Sequence, residues 1–161
     1  MKKLSPILFV LSIVLILSAC GSSDVLGDFI EDYNEKAAES GVAKLNPDDF
    51  DEEIEDVEGT GWQGLYESVE YDINAKYADM ENVSGYHLSI DIEQPYEKLE
   101  GVGYDAGIAI VDTLELDKEK YEKQYKLALS DTNSRYEDNG YTITFLNNGL
   151  YYFAIYFDKT E

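Results

Sequence analysis

Hydrophobic residues recur at helical spacing in four parts of the chain. The clearest are residues 24–40, which Gly41 follows as a C-terminal cap, and residues 117–130. A short helix is predicted after Asn46, because asparagine caps a helix and the proline that follows it suits the first turn. Residues 104–116 are apolar almost throughout. A helix is preferred there, and a strand remains open because β-branched residues are frequent.

Hydrophobic and polar residues alternate in the remaining segments, which predicts strands. The alternation runs through residues 69–77 and through residues 86–93, so these two segments form a predicted hairpin. Residues 141–146 and 150–159 form a second hairpin around an Asn-Asn-Gly turn sequence at 147–149. The predicted order of elements is therefore ααββααββ.

This order predicts an α+β fold with two layers. The simplest arrangement is one antiparallel sheet of about four strands with the helices packed on one face. Residues 24–161 would then form a single domain. At the level of the fold alone, the order resembles the αββ repeats of beta-lactamase inhibitory proteins, and such a likeness does not transfer function.

The first 20 residues have the pattern of an export signal. Two lysines precede an apolar run over residues 4–19, and the polar sequence after the run is unlike the flank of a spanning helix. The run ends in Leu17-Ser18-Ala19-Cys20, followed by a glycine and two serines. This motif resembles the lipobox of bacterial lipoproteins, and the resemblance covers residues 1–23 alone.

The resemblance implies that the Cys20 thiol receives a diacylglyceryl group and that a signal peptidase cuts just before it. Residues 1–19 would be removed, and residues 20–23 would be the lipidated cysteine and a short tether. Two acyl chains are what stable anchoring usually requires. We therefore expect a chain anchored by its lipid, palmitate for example, to the outer, extracytoplasmic face of the cell membrane.

Composition and charge exclude several classes of function. Cys20 is the only cysteine, so its lipidation leaves no thiol for a disulfide, a nucleophile or a zinc site. The formal net charge is −22, and removal of the two lysines of the signal makes it about −24. Such a surface repels phosphates, so no nucleic-acid binding is expected and direct docking on anionic lipid is disfavoured.

The Gly59–Gly64 sequence GTGWQG formally fits the dinucleotide-binding pattern G-x-G-x-x-G. That pattern indicates a nucleotide site only between a strand and a helix. Here a predicted acidic helix precedes it and a strand follows, so we interpret it as a flexible turn that positions Trp62. No nucleotide cofactor is expected.

A dense run of acidic residues lies in the short predicted helix. Its candidate residues are Asp48, Asp49, Asp51, Glu52 and Glu55. Three interpretations stay open: a solvated helix face, a landing site for a basic partner, and a loose site for a divalent cation such as weakly bound calcium. The run lacks the ligand spacing of an EF-hand loop, and so do residues 131–140. No metal ligands are assigned.

The chain has 14 tyrosines, more than the predicted sheet alternation buries. Tyrosine is enriched in interfaces, and aromatic rings beside carboxylates suit lysine and arginine side chains. The candidate partner-binding residues are Tyr152, Tyr156, Tyr71, Tyr77 and Trp62. The single histidine, His87, falls on the polar side of its strand and is interpreted as a surface residue outside any catalytic triad.

Together these features predict a membrane-anchored binding module, with inhibition of its partner as one mode of action. The expected partner is a protein with a basic surface, and the sequence does not fix the oligomeric state. Two alternatives remain: a cell-envelope hydrolase that uses a pair of carboxylates, and a lipoprotein that binds divalent cations. No catalytic constellation is identified, so no enzyme activity is assigned.

Overall fold

The computed structural model describes residues 25–46, 48, 55–57, 59–78, 82–91, 99–130, 133–147 and 152–160. Three helices are described: α1 (Val25–Ser40), α2 (Val102–Thr113) and α3 (Lys118–Leu129). The first four strands are β1 (Glu55–Val57), β2 (Thr60–Glu67), β3 (Tyr71–Tyr77) and β4 (Val83–Asp91), and the last three are β5 (Ser134–Asp138), β6 (Tyr141–Asn147) and β7 (Tyr152–Lys159). The order along the chain is αββββααβββ.

All strands belong to one antiparallel sheet with the order β1-β2-β3-β4-β7-β6-β5. Strands β1 to β4 follow one another as a meander, and β5 to β7 form a second meander. The two meanders meet where β4 pairs with β7, and Leu88 there lies opposite Ile155. The centre of the sheet therefore joins parts of the chain that are far apart in sequence.

Helix α2 is the middle helix of the layer that covers the sheet, in contact with both α1 and α3. Residues 106–111 of this helix are all buried, which explains why that stretch of the sequence is apolar on every side. Gly103 brings the helix close to β4 and Gly107 brings it close to α3, because a β-carbon would collide with Ile90 at the first position and with the Tyr121 hydroxyl at the second. None of the described helices is long and apolar enough to cross a membrane.

The core fills the space between the three helices and one face of the sheet. On α1, the Phe29 ring stacks on Tyr86 of β4 with ring centroids 3.7 Å apart. On α3, Tyr125 packs against Phe153 of β7 at 4.8 Å, and Tyr121 packs against Phe145 of β6 at 5.4 Å. Much of the tyrosine content is therefore core rather than surface.

The structure confirms the α+β class and the single layer of helices on an antiparallel sheet. Residues 102–113 are helical, as preferred over the strand alternative. The helix ending at Gly41 is confirmed, with Gly41 at φ +74° as expected for a C-terminal cap. Strands β6 and β7 correspond to the predicted C-terminal hairpin, whose turn residues 148–150 lie outside the described part of the chain.

The predicted strand number and the order ααββααββ are wrong, because the described residues form a sheet of seven strands in the order αββββααβββ along the chain. Glu55–Val57 is a strand rather than the end of a short helix, and the preceding residues 49–54 lie outside the description. Most of the GTGWQG sequence belongs to β2 rather than to a turn. Of the residues in this sequence, Gly59 lies in a turn, at φ +82°, and Gly61 and Gly64 are paired with β3.

Strand β5 was not predicted. It pairs with β6 through a two-residue turn in which Asn139 and Gly140 have φ +40° and +77°. Positive φ at both turn positions is typical of the type I′ hairpin, for which Asn-Gly is the strongest short sequence signal. That signal was present in the sequence, but the charged residues around it obscured a short edge strand.

Candidate functional site

One face of the sheet is free of helices in the part of the chain that the structure describes. We call it the open face. Strand register assigns to it alternate residues of each strand, the opposite set from those that contact the helices, and an irregularity between Gly64 and Tyr66 shifts this alternation within β2. Its central residues are Trp62, Asn74, Lys76, His87, Ser89, Thr144, Tyr156 and Asp158.

Three aromatic side chains meet at the centre of the open face. The His87 ring stacks on Tyr156, with centroids 4.5 Å apart and planes 22° from parallel. Trp62 contacts both rings edge-on, at 5.6 Å from His87 and 6.4 Å from Tyr156. We call these three residues the aromatic cluster. All three are half-buried, so each ring is held by its neighbours while part of it faces solvent.

His87 is neutral at physiological pH. Burial among its neighbours lowers its pKa to about 4, with a smaller lowering from the positive charge of Lys76 and an opposing effect of Asp158. The sequence-based expectation of an ordinary surface histidine was right about the face but missed the packing. A neutral ring in the aromatic cluster adds no positive charge that would repel a cation.

An ion pair borders the aromatic cluster. The Lys76 Nζ atom lies 2.5 Å from the Asp158 Oδ1 atom and 6.0 Å from the centroid of the Trp62 ring. The two partners are separated by 82 positions in the sequence. They meet because Lys76 on β3 is paired with Gly85 on β4, which is paired with Asp158 on β7.

The end of the open face beyond Asn74 is acidic. Glu67 on β2 is the register partner of Asp72 on β3, and Asp91 ends β4 on the same face. Burial raises the pKa of Asp72, with further raising by Glu67 and Asp91 and an opposing hydrogen bond from the Ser68 amide. Carboxylates held together in this way repel one another, and a nearby cation relieves that repulsion.

The structure separates the candidate partner-binding residues into two groups. Trp62 and Tyr156 lie on the open face. Tyr71 and Tyr77 lie on the helix-covered face and are 3% and 6% exposed, so they belong to the core and are not accessible to a partner. Burial raises the pKa of Tyr71 to about 12. Tyr152 lies in β7, and its side chain is outside the description.

Most of the other candidates lie outside the described residues. These are the signal residues Leu17, Ser18 and Ala19, the lipidation candidate Cys20, and the acidic residues Asp49, Asp51 and Glu52. Asp48 is exposed, and Glu55 is the first residue of β1. The last part of the predicted acidic helix, from Glu55 to Val57, is a strand, so Glu55 does not share a helix face with the other acidic candidates.

The two alternative functions would need a group of metal ligands or a pair of facing carboxylates. Within the described residues, no group of three or more histidine, cysteine or carboxylate side chains is placed to hold a metal ion. A shallow depression of about 510 Å³ beside β2 has Glu67 as the one carboxylate in its lining. Another on α3 has Glu119 and Glu122, which lie on the same helix beside two lysines. Neither depression brings carboxylates from two different elements together, as a glycosidase pair requires.

The arrangement on the open face offers non-covalent contacts: aromatic rings, an ion pair and an acidic margin. Trp62 and Tyr156 were predicted as contact residues, whereas His87, Lys76 and Asp158 were missed. Only the strand register, which the sequence does not reveal, brings those three together. Comparisons with protein-family models, with curated proteins and with solved structures found no match for this chain.

Proposed function

We propose that this protein is a membrane-anchored extracytoplasmic lipoprotein that binds a basic protein partner through the open face of its sheet. The observation that carries the proposal is the aromatic cluster of Trp62, His87 and Tyr156. These rings are packed against one another on a face that no described helix covers. Rigid, partly exposed aromatic side chains are the usual anchors of protein interfaces.

The charge of the open face supports a basic partner. Its carboxylates are those of Glu67, Asp72, Asp91, Glu137 and Asp158, placed there by strand register. Its basic residues are Lys76 and Arg135. The face is therefore anionic, as is the chain as a whole at −22. Complementary charge accelerates association and disfavours acidic competitors.

The position of α1 supports a short connection to the membrane. Helix α1 begins at Val25, five positions after Cys20. Five residues reach at most about 18 Å even when fully extended. A domain lipidated at Cys20 would thus stay next to the bilayer, and a partner there would be another protein of the envelope surface.

Lipidation is tested separately from binding. Cells that express the full chain are labelled with radioactive palmitate, and the Cys20→Ser variant serves as the control. We expect label in the wild-type protein of the membrane fraction and none in the variant. Label in both proteins, or a soluble wild-type protein that still begins at Met1, would contradict the anchor.

Binding is tested by site-specific photo-crosslinking in intact cells. Leu146 on the open face and Leu127 on α3 are matched leucines, 37% and 44% exposed. A photoreactive amino acid at 146 should give a discrete crosslinked partner, and the same group at 127 should not. Adding Trp62→Ala to the 146 variant should abolish the crosslink. Equal products from both positions, or products unaffected by Trp62→Ala, would count against the open face as the binding surface.

A further inference from the structure

Four residues form a row across the open face, one from each of four neighbouring strands. In order they are Trp62, Lys76, Gly85 and Asp158, from β2, β3, β4 and β7. Gly85 has no side chain to fill its place in the row. The Lys76 side chain extends across this gap, and its ammonium group contacts the Asp158 carboxylate on the far side.

The gap at Gly85 is built into the sheet. A β-carbon there would collide with the main-chain oxygen of Phe157 on the neighbouring strand. Since that atom is backbone in a central strand pair, the collision is not relieved by a side-chain rotation. A larger residue is thus excluded, and the space between Trp62 and Asp158 is left to whichever cation occupies it.

Lys76 holds this space with two weak contacts. The side chains of Lys76 and Asp158 are 26% and 33% exposed, and ion pairs of that exposure contribute little to stability. The distance from the Lys76 Nζ atom to the Trp62 ring, 6.0 Å, is at the outer limit of a cation–π contact. The ammonium group is therefore easily displaced by a cation that fits better.

We propose that the row from Trp62 to Asp158 is a recognition site for an arginine side chain of the partner, and that Lys76 is an intramolecular competitor for it. A guanidinium group is planar, so it stacks on an indole ring and donates two parallel hydrogen bonds to one carboxylate. Lysine can do neither. The inference rests on the proposed function, because it specifies the chemistry of that basic partner.

The surroundings of the row favour a cation. The centroid of the neutral His87 ring lies 5.6 Å from that of Trp62, and the carboxylates of Glu67, Asp72 and Asp91, at the other end of the same face, add to its negative potential. The arriving arginine exchanges with Lys76, whose flexible side chain moves into solvent. Asp158 is paired with one cation before and after this exchange, so the exchange buries no uncompensated charge.

The test uses Trp62 as its own reporter, because it is the only tryptophan in the chain. The full chain, purified in a non-ionic detergent, is titrated with a capped hexapeptide of alternating arginine and glycine. The matched peptide carries citrulline, which has the shape of arginine without its charge. We expect the arginine peptide to change the Trp62 emission saturably and the citrulline peptide to leave it unchanged.

Two pairs of variants separate the site from general charge attraction. Asp158→Asn should weaken binding of the arginine peptide about tenfold or more, since a charge-assisted hydrogen bond is lost. Glu119→Gln removes the same charge from α3 and should have little effect. Lys76→Gln should strengthen binding about threefold or more, whereas Lys126→Gln, an equal charge change at an exposed site on α3, should not.

Several outcomes would overturn the inference. These are equal binding of the two peptides, equal effects within either pair of variants, and weaker binding by Lys76→Gln. A change of Trp62 emission with protein concentration alone would identify a second copy of the chain as the occupant instead. If these titrations fail while the crosslink from position 146 persists, the arginine site is wrong and the proposed binding face stands. If the crosslink fails as well, both are wrong.

Discussion

The two faces of strand β7 differ sharply, although the same eight residues form both. Toward the helices, Phe153, Ile155 and Phe157 are essentially inaccessible to solvent. Toward the open face, Tyr156 is half-buried in the aromatic cluster and Asp158 takes part in an ion pair. The fold is held mainly by one face, so the other face is able to carry residues selected for contact with a partner.

The largest test of this difference compares neighbouring residues on β7. Phe157→Ala should destabilise the protein by about 3–5 kcal/mol, because it removes a fully buried ring and leaves a cavity. Tyr156→Ala, one position away on the open face, should cost about 1 kcal/mol, because its ring is only partly removed from water. Urea unfolding followed by circular dichroism measures both values.

The same pair should show the reverse order in binding. Tyr156→Ala should reduce the crosslink from position 146. Phe157→Ala should keep that crosslink when it is measured at a temperature at which the variant remains folded. Equal losses of stability for the two variants would mean that the open face is a second core surface rather than a free one.

A second test concerns the close contact between α2 and α3. Gly107→Ala would place a methyl group against the Tyr121 hydroxyl, so we expect a loss of about 2 kcal/mol. That hydroxyl is buried and has no hydrogen-bond partner among the described residues. Tyr121→Phe should thus be neutral or slightly stabilising, and it should recover most of the stability lost in Gly107→Ala.

Thermal unfolding of the two single variants and the double variant measures this coupling. Additive effects would show that the helices move apart instead of meeting at these two side chains. No equivalent coupling is expected on the open face, where a side chain can move into solvent.

The long regular elements and the short or glycine-rich strands show what the sequence could and could not predict. Strand β7 and helix α3 were predicted because their hydrophobic periods are long and regular. Strand β2 was missed because the glycines of GTGWQG have low strand propensity and favour turns. Strand β5 was missed because it is short and charged, as edge strands often are.

Only those residues of the candidate site that residue type or local alternation identifies could be predicted. Trp62 and Tyr156 stood out by residue type alone. Tyr71 and Tyr77 share their alternation phase with buried Ile73 and Ala75, so the pattern itself placed them in the core. The ion pair of Lys76 with Asp158 depends on the pairing of β4 with β7, a long-range contact that local periodicity does not encode.

A smaller effect on stability is expected from the lowered pKa of His87 on the open face. Because the pKa of His87 is lowered from 6.5 to about 4, the unfolded chain binds a proton at this residue more readily than the folded chain. Its contribution to stability is complete above pH 6.5 and is lost as the pH falls toward 4. The loss should be about 1–2 kcal/mol, after allowance for the partial exposure of the ring.

The His87→Gln variant isolates this contribution, because the many carboxylates titrate in both proteins. The variant also retains Lys76 and Asp158, the charged groups that act on His87. Urea unfolding between pH 7.5 and 4 should show a steeper loss of stability in the wild-type protein than in the variant. Identical pH dependence would mean that His87 is solvated rather than packed between Trp62 and Tyr156.

The smallest expected effect is that of the open-face ion pair on folding. A double-mutant cycle with Lys76→Gln and Asp158→Asn should give a coupling energy of at most about 1 kcal/mol, because both side chains remain partly in water. High salt should reduce it further. A coupling above about 2 kcal/mol would make the pair a structural element that a partner could not displace without cost. If Lys76 occupies the arginine site, two results must occur together. The coupling energy in folding must be small, and Lys76→Gln and Asp158→Asn must have opposite effects on arginine binding.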